Sequence, residues 1–154
     1  MRMIKALTAI AAMIFVVACS SNNDQQQAAS ASTTVTPGSV ADFRQNVGDR
    51  VFFALDESTV NSEGRQTLTR QAEWLKKYPN YQVTVEGHCD ERGTREYNLA
   101  LGERRANSAR QFLIAQGVPA ARLKTISYGK ERPDPVGSDE AAWALNRRAV
   151  TALQ

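Results

Sequence analysis

Residues 84–109 read TVEGHCDERGTREYNLALGERRANSA, and this stretch predicts a strand, a charged turn and a long helix in direct succession. Val83 and Val85 alternate with polar residues, which is the period of two expected of a strand. Gly87 and Gly93 mark the turn. Because the turn carries carboxylates, a histidine and a thiol, and two arginines follow on the helix, we expect the chemistry of the protein to lie here.

The rest of the chain continues the alternation of strands and helices. Strands are predicted at residues 51–55, 81–86, 123–128 and 149–153, and helices after the capping residues Asn61 or Ser62, Thr94 and Asp139. We therefore predict an α+β fold, a β-α-β-α-β-α-β sandwich. Its mixed sheet of about four strands should carry the helices on one face.

The long helix after the turn carries apolar residues at helical spacing. They predict a buried stripe formed by Leu99, Ala106, Ala109 and Leu113. Arg104 and Arg110 are then expected to face solvent. On the last short helix, Trp143 is expected to pack inward.

The N-terminus has the layout of a secretory signal, predicted at residues 1–18. Arg2 and Lys5 precede an apolar run at residues 6–18, which is shorter than the roughly 20 residues needed to span a bilayer as a helix. The run ends in Val-Val-Ala followed by Cys19 and resembles the lipobox of bacterial lipoproteins. This resemblance implies cleavage before Cys19 and attachment of acyl chains to it, which would anchor the protein to a membrane.

Residues 19–41 are dominated by serine, asparagine, glutamine, alanine and threonine. Such a composition buries too little apolar surface to offset its ordering entropy, so we predict a flexible tether. Ser20 stands where lipoproteins retained in the inner membrane of Gram-negative bacteria carry aspartate, and this resemblance implies the outer membrane. The folded domain is then predicted at residues 42–154.

Charge and cysteine content exclude two other classes of protein. The formal net charge is +3, but removal of Arg2 and Lys5 with the signal leaves 17 basic and 16 acidic residues, a net of +1. That balance argues against binding of nucleic acid, which requires a basic face. Cys19 and Cys89 are the only cysteines, and their positions argue against a disulfide framework.

Residues 88–91 offer candidate catalytic or metal-binding groups. His88 is the only histidine, so a Cys–His pair would have to use its neighbour Cys89, and neighbours on a strand point to opposite faces. His88, Asp90 or Glu91 would be the acid–base groups of an enzyme and Cys89 its nucleophile, and the opposite directions of His88 and Cys89 argue against catalysis. Four consecutive ligands also do not match the spaced pairs of zinc sites. Cys89 is best explained as a small packing residue.

A binding site for a ligand that carries both charges is a further interpretation. The turn presents Asp90, which suits an ammonium group, and the helix presents Arg105, whose planar guanidinium suits a carboxylate. An amino acid headgroup fits this description. The alternative is that Asp90 and Arg105 pair with each other on the surface.

Several motifs carry a resemblance to a known family. The motifs are VEGHCDERGT at residues 85–94, YN at 97–98, LGERRA at 101–106, SYGK at 127–130, DEAA at 139–142 and NRR at 146–148. Together with Phe53 and Asp56 they resemble the OmpA-like peptidoglycan-binding domain, in particular its lipoprotein branch in the Tol-Pal system. The likeness covers essentially the whole predicted domain.

The resemblance implies noncovalent binding of peptidoglycan through meso-diaminopimelate in its stem peptide. By this likeness Asp90 grips the ligand and Arg105 meets its carboxylate, and Asp56, Asn98 and Leu99 match secondary positions of the pocket. Cys89 replaces the alanine or threonine of many relatives, which are equally small.

The resemblance further implies TolB and TolA as protein partners, attachment to the outer membrane through Cys19, and a role in envelope integrity and constriction at division. It implies no enzymatic activity and no cofactor. A second interpretation is an envelope adaptor whose main ligand is another periplasmic protein, bound through Tyr97, Tyr128 and the loop at residues 130–135.

Overall fold

The structure is a computed structural model that describes residues 35–154. The predicted signal peptide, Cys19 and most of the predicted tether lie outside the described residues. The elements, in chain order, are α1 (Val40–Asp42), a π-helical turn (Phe43–Val47), β1 (Arg50–Phe52), α2 (Ser62–Lys77), β2 (Val83–His88), α3 (Arg95–Ala115), a 3₁₀ turn (Ala120–Arg122), β3 (Leu123–Gly129), α4 (Glu140–Asn146) and β4 (Arg148–Leu153). Within this part of the chain, no helix is both long enough and apolar enough to cross a bilayer.

The three longest helices begin where the capping residues predict. The side chains of Asn61, Thr94 and Asp139 each accept a hydrogen bond from the backbone N–H three residues later. Each cap satisfies an N–H group that the helix itself leaves without a partner, a contribution of about 1 kcal/mol. The predicted helix starts are therefore confirmed.

The four strands form one mixed sheet in the order β1-β4-β2-β3. β2 and β3 run parallel, whereas β4 lies between β1 and β2 and is antiparallel to both. The predicted α+β fold with a mixed four-stranded sheet is confirmed. β1 is shorter than predicted, because residues 53–55 leave the sheet and begin the loop that borders the cavity described below.

One hydrophobic core joins the sheet to α2 and α3. Its buried members include Val51, Val83, Val85, Leu123 and Ala149 from the strands, and Leu68, Ala72, Leu75, Ala106, Ala109 and Leu113 from the helices. The alternate positions Glu86, Ile126 and Val150 are cross-strand neighbours on the other face of the sheet. The period of two along the strands thus divides a helix-covered face from an open one.

The prediction for Leu99 is wrong, because this side chain is 52% exposed rather than buried. The buried arc of α3 contains Asn98, Gly102 and Arg105, and at about 100° per residue Leu99 projects at the margin of that arc. Arg110, predicted to face solvent, is half-buried and its Nε donates to the carbonyl of Leu123 at 3.1 Å.

Residues a few positions upstream of residue 42 also make contacts with the domain. The hydroxyl of Tyr81 donates to the carbonyl of Gly38 at 2.8 Å, and Trp74 Nε1 donates to Asp42 Oδ2 at 2.8 Å. Ser39 caps α1 by accepting a hydrogen bond from the N–H of Asp42. Gly38, predicted as part of the tether, is therefore held by Tyr81, which follows α2, and the adjoining Asp42 is held by Trp74 within α2.

β2 and α3 approach each other at Gly87 and Gly102. A methyl group on Gly87 would overlap the backbone carbonyl of Gly102, and one on Gly102 would overlap the hydroxyl of Ser127. Glycine at both positions lets the two backbones touch. The helix is thereby set close to the turn that follows β2, and Arg105 lies one turn further along.

Candidate functional site

A cavity of about 330 Å³ lies where the end of β2 meets the start of α3. Its walls come from the loop after β1, the turn after β2, the first turns of α3 and the segment between α4 and β4. The structure brings Asp56, Asp90, Asn98 and Arg105, four of the five predicted ligand-binding residues, to these walls. It places Leu99 outside them, on a neighbouring groove against β3.

Asp90 lines the cavity and is only 5% exposed. Its Oδ1 accepts from the backbone N–H and Nε of Arg92 at 3.1 and 3.2 Å. Its Oδ2 accepts from Arg92 Nη2 at 2.7 Å and from Arg147 Nη1 at 3.3 Å. Burial acts to raise the pKa of Asp90, but these hydrogen bonds and the charge of Arg92 outweigh it, so the pKa lies below its ordinary value. The carboxylate is therefore ionised at neutral pH.

Arg92 is held in place by the ring of Trp143. The guanidinium carbon lies 4.2 Å from the ring centroid, and Trp143 Nε1 donates to Glu91 Oε1 at 3.1 Å. Trp143 was predicted to pack inward. It is instead half-buried, because its ring serves as the platform for Arg92. The Arg92 side chain is 35% exposed and therefore accessible to a ligand in the cavity.

Arg105 is completely buried, with 0% exposure. Its Nε donates to the carbonyl of Glu57 at 2.7 Å, Nη1 to that of His88 at 3.0 Å and Nη2 to that of Ala54 at 3.1 Å. The guanidinium thus ties the loop after β1 to the end of β2. Each terminal nitrogen retains one further N–H, because the guanidinium has five donors in all. Burial lowers the pKa of Arg105 below its ordinary value.

Asp90 and Arg105 do not form the surface ion pair that their charges allowed. The charged partners of Asp90 are Arg92 and Arg147, and the partners of Arg105 are backbone carbonyls. Asp90 and Arg105 therefore both line the cavity, but different partners hold them in place. Asp90 contributes a carboxylate whose charge is balanced by two arginines, and Arg105 contributes a fully buried guanidinium.

Asn98 and Cys89 shape the turn. Asn98 Nδ2 donates to the carbonyls of Arg92 and Thr94 at 2.7 and 3.0 Å, so it fixes the loop that carries Arg92. Cys89 Sγ donates to the carbonyl of Asn98 at 3.3 Å and is 3% exposed. Burial raises the pKa of the Cys89 thiol, so it stays protonated at neutral pH and acts as a packing residue.

Asp56 provides the exposed carboxylate of the cavity. It adopts a left-handed backbone conformation with φ of 56°, which aspartate and asparagine tolerate better than most residues. Its Oδ1 accepts from the hydroxyl of Tyr97 at 3.4 Å. With Asp56 and Asp90 facing Arg92, Arg105 and Arg147, the cavity presents both signs of charge.

The residues proposed for an adaptor surface lie in different surroundings. Tyr97 borders the cavity beside Asp56. Tyr128 stacks against the guanidinium of Arg132, 3.6 Å from the ring centroid. Lys130 Nζ donates to the carbonyls of Glu91 and Gly93 at 3.1 and 2.6 Å. Lys130 therefore braces the turn that carries Asp90.

Sequence reasoning missed Arg92 and Arg147 as residues of the site. Arg92 follows Asp90 by two positions, the spacing at which an aspartate side chain accepts the N–H of the second following residue, and this local signal was available. Arg147 lies 57 residues from Asp90, and only the tertiary fold brings the two together. Arg147 is 7% exposed and also donates to Glu140 Oε1 at 2.7 Å.

His88 is buried beside the cavity but takes no part in its walls. It is 3% exposed, stacks on Tyr128 at 5.5 Å between ring centroids, and has no hydrogen-bond partner for either ring nitrogen among residues 35–154. Burial, with a further contribution from the charge of Arg148, lowers its pKa to about 4. Cys89 contacts Asn98 instead, so the two neighbours do not form a catalytic pair.

We expect His88 to make the stability of the domain dependent on pH. In the unfolded chain its pKa is about 6.5. Above pH 6.5 neither state binds the proton, and between pH 6.5 and about 4 only the unfolded state does, so stability falls as the pH falls. The expected loss across this window is about 3 kcal/mol, measured by urea unfolding at several pH values. His88→Phe keeps a ring against Tyr128 and should flatten the curve in this window, and an unchanged slope would contradict the assignment.

Comparison with known proteins places the chain in a family. Residues 52–147 match the OmpA family. The chain belongs to the OmpA family. The peptidoglycan-associated lipoprotein of Agrobacterium fabrum is 62% identical over 120 residues, which cover 78% of this chain and 68% of that protein. The peptidoglycan-associated lipoprotein of Haemophilus influenzae is 47% identical over 114 residues, 74% of each chain.

A solved structure is similar to this chain in both sequence and fold. The crystal structure of the peptidoglycan-associated lipoprotein from Burkholderia pseudomallei superimposes with a TM-score of 0.67 at 42% identity, covering 69% of this chain and 90% of that one. The resemblance identified from the motifs around residues 84–109 is therefore confirmed, together with the fold that it implied.

Proposed function

We propose that this protein is a lipoprotein of the outer membrane that binds peptidoglycan noncovalently and so ties the membrane to the cell wall. Its relatives carry the name peptidoglycan-associated lipoprotein, and the lipobox-like sequence before Cys19 supplies the anchor. The role is binding, without a chemical reaction. By the same family likeness, TolB and TolA are partners and the protein acts in envelope integrity and division.

The observation that carries the proposal is the pairing of opposite charges in one cavity. The stem peptide of peptidoglycan contains meso-diaminopimelate, whose side chain ends in an ammonium and a carboxylate. Asp56 and Asp90 suit the ammonium, and Arg92 and Arg105 suit the carboxylate. Because Asp90 already accepts four hydrogen bonds, the exposed Asp56 is the carboxylate available for first contact.

The energetics fit a tethered domain. Each charge-assisted hydrogen bond contributes about 1.5 to 3 kcal/mol, so a few of them give modest affinity for one stem peptide. A domain anchored near a polymer of repeated stem peptides works at high effective concentration. Weak single contacts are then sufficient for a lasting attachment.

Asp56→Asn tests the ligand site without disturbing the fold. Asparagine tolerates the left-handed backbone of residue 56, so only the charge is lost. We expect affinity for purified peptidoglycan to fall about tenfold in cosedimentation, the equivalent of one charge-assisted contact. The matched control is Glu57→Gln, which removes a neighbouring exposed charge outside the cavity and should bind normally.

Soluble stem peptide containing meso-diaminopimelate should compete with the polymer for the wild-type chain. The same competition should require a higher peptide concentration with Asp56→Asn. Equal loss of binding in Asp56→Asn and Glu57→Gln would point to nonspecific charge effects. Unchanged binding of Asp56→Asn, or failure of the stem peptide to compete, would rule out the cavity as the site.

A further inference from the structure

A second groove runs along the outer edge of β3, separate from the cavity. Residues 125–129 of β3 form one side of it, and the other side consists of Arg95, Glu96, Leu99, Ala100 and Glu103 on α3. None of these residues lines the charged cavity. The groove therefore offers a surface that the proposed binding of peptidoglycan does not use.

The groove follows the edge of the strand rather than one face of the sheet. Successive side chains of a strand point to opposite faces, so a depression lined by five consecutive residues must lie along the backbone edge. β3 is the last strand of the sheet in the described part of the chain. An edge strand presents alternate N–H and C=O groups outward, which can pair with an added strand.

Apolar side chains lie on both sides of this edge. Leu99 on α3 is 52% exposed, and Ile126 on the open face of the sheet is 39% exposed. A strand added beside β3 would direct alternate side chains to the two faces, so one set would contact Leu99 and the other Ile126. Each contact would remove apolar surface from water.

The charges beside Leu99 are mostly acidic. Glu96 and Glu103 lie three residues before and four residues after it on the helix, and both are exposed. Neither lies within ion-pair distance of a cation among residues 35–154, whereas Arg95 pairs with Glu131 at 3.2 Å. The helix side of the groove thus has acid–apolar–acid order.

We propose that this groove binds an extended segment of another protein as an added strand on β3. On the face toward α3 the segment carries lysine or arginine, then an apolar residue, then lysine or arginine, to match Glu96, Leu99 and Glu103. On the opposite face it is apolar, to cover Ile126. Residues 125–129 span about 13 Å, so about five residues of the segment are engaged.

The test uses three synthetic peptides and the full chain. TKVVVKT has the proposed pattern, TEVVVET reverses its charges, and TKVPVKT places proline in the pairing region. Binding is measured by fluorescence anisotropy, and the contact surface by ¹⁵N chemical-shift changes. We expect TKVVVKT to bind with shifts at residues 125–129, and the other two peptides to bind at least about tenfold more weakly.

Matched variants assign the effect to the groove. The double change Glu96→Lys and Glu103→Lys should weaken binding of TKVVVKT about tenfold and favour TEVVVET. Glu73→Lys alters an exposed glutamate on α2 and should leave both peptides unaffected. Cosedimentation with peptidoglycan should be unchanged in the double variant, which separates this surface from the cavity.

Three results would overturn the proposal. One is equal affinity for TKVVVKT and TEVVVET, and another is shift changes confined to surfaces other than the groove. The third is sedimentation showing that the full chain self-associates through β3 and that Ile126→Glu abolishes the association, because the occupant would then be a second copy of the chain.

Discussion

Arg105→Ala is expected to lower the free energy of unfolding by about 3 to 5 kcal/mol. The substitution leaves the carbonyls of Ala54, Glu57 and His88 without their donor and removes a large side chain that is 0% exposed. Buried carbonyls without partners each cost about 1 to 3 kcal/mol, and the new space adds to this. The measurement is urea unfolding followed by circular dichroism.

Two variants show whether the effect comes from the buried guanidinium. Arg104→Ala removes the neighbouring exposed arginine and should change stability by less than about 0.5 kcal/mol. Arg105→Lys keeps the charge but lacks the planar fork that serves three carbonyls, so it should fall between wild type and Arg105→Ala. If Arg105→Ala unfolds at the wild-type urea concentration, the carbonyl contacts contribute little to stability.

The burial of Arg105 also changes how its role in ligand binding can be measured. A loss of cosedimentation in Arg105→Ala could arise from displacement of the loop that carries Asp56, because the carbonyls of Ala54 and Glu57 hold that loop to the guanidinium. Asp56→Asn and substitution of the half-exposed Arg92 change charge without removing these contacts. They are therefore the more direct probes of the cavity.

Local signals in the sequence were sufficient for much of the fold. The caps Asn61, Thr94 and Asp139 were predictable because each acts within four residues of itself. The alternation of Val83 and Val85 likewise follows from burial on one face of a strand. The order of the strands was not predictable, since the position of β4 between β1 and β2 depends on pairing across the whole chain.

The sequence allowed prediction of several residues that line the cavity, but not of the contacts that hold them there. Asp90 and Arg105 could be selected from the motif and its charges. Helical spacing could not predict that Arg105 donates to the carbonyls of Glu57 and Ala54, which lie 48 and 51 residues away in sequence. Because charged residues are rarely fully buried, the sequence favoured an exposed position for Arg105, whereas the structure buries it completely. The burial of Leu99 was wrongly predicted because apolar periodicity placed Leu99 on the buried side of α3. In the structure, the polar side chains of Asn98 and Arg105 occupy that side.

Gly87→Ala is expected to cost about 3 kcal/mol or more and to weaken binding of peptidoglycan at the same time. The added methyl would overlap the backbone carbonyl of Gly102, so β2 and α3 must separate. Separation moves Asn98 and Arg105, which α3 carries to the cavity, away from the turn that holds Asp90. Urea unfolding and cosedimentation measure the two effects.

A comparison with Gly102→Ala distinguishes backbone from side-chain contact. Its methyl would first meet the hydroxyl of Ser127, a side-chain atom, and alanine is favoured over glycine within a helix by about 1 kcal/mol. Ser127→Ala should therefore relieve part of the cost of Gly102→Ala and none of the cost of Gly87→Ala. Because the obstacle to Gly87→Ala is the helix backbone itself, rescue of that variant by Ser127→Ala would show that the two backbones do not set the position of α3.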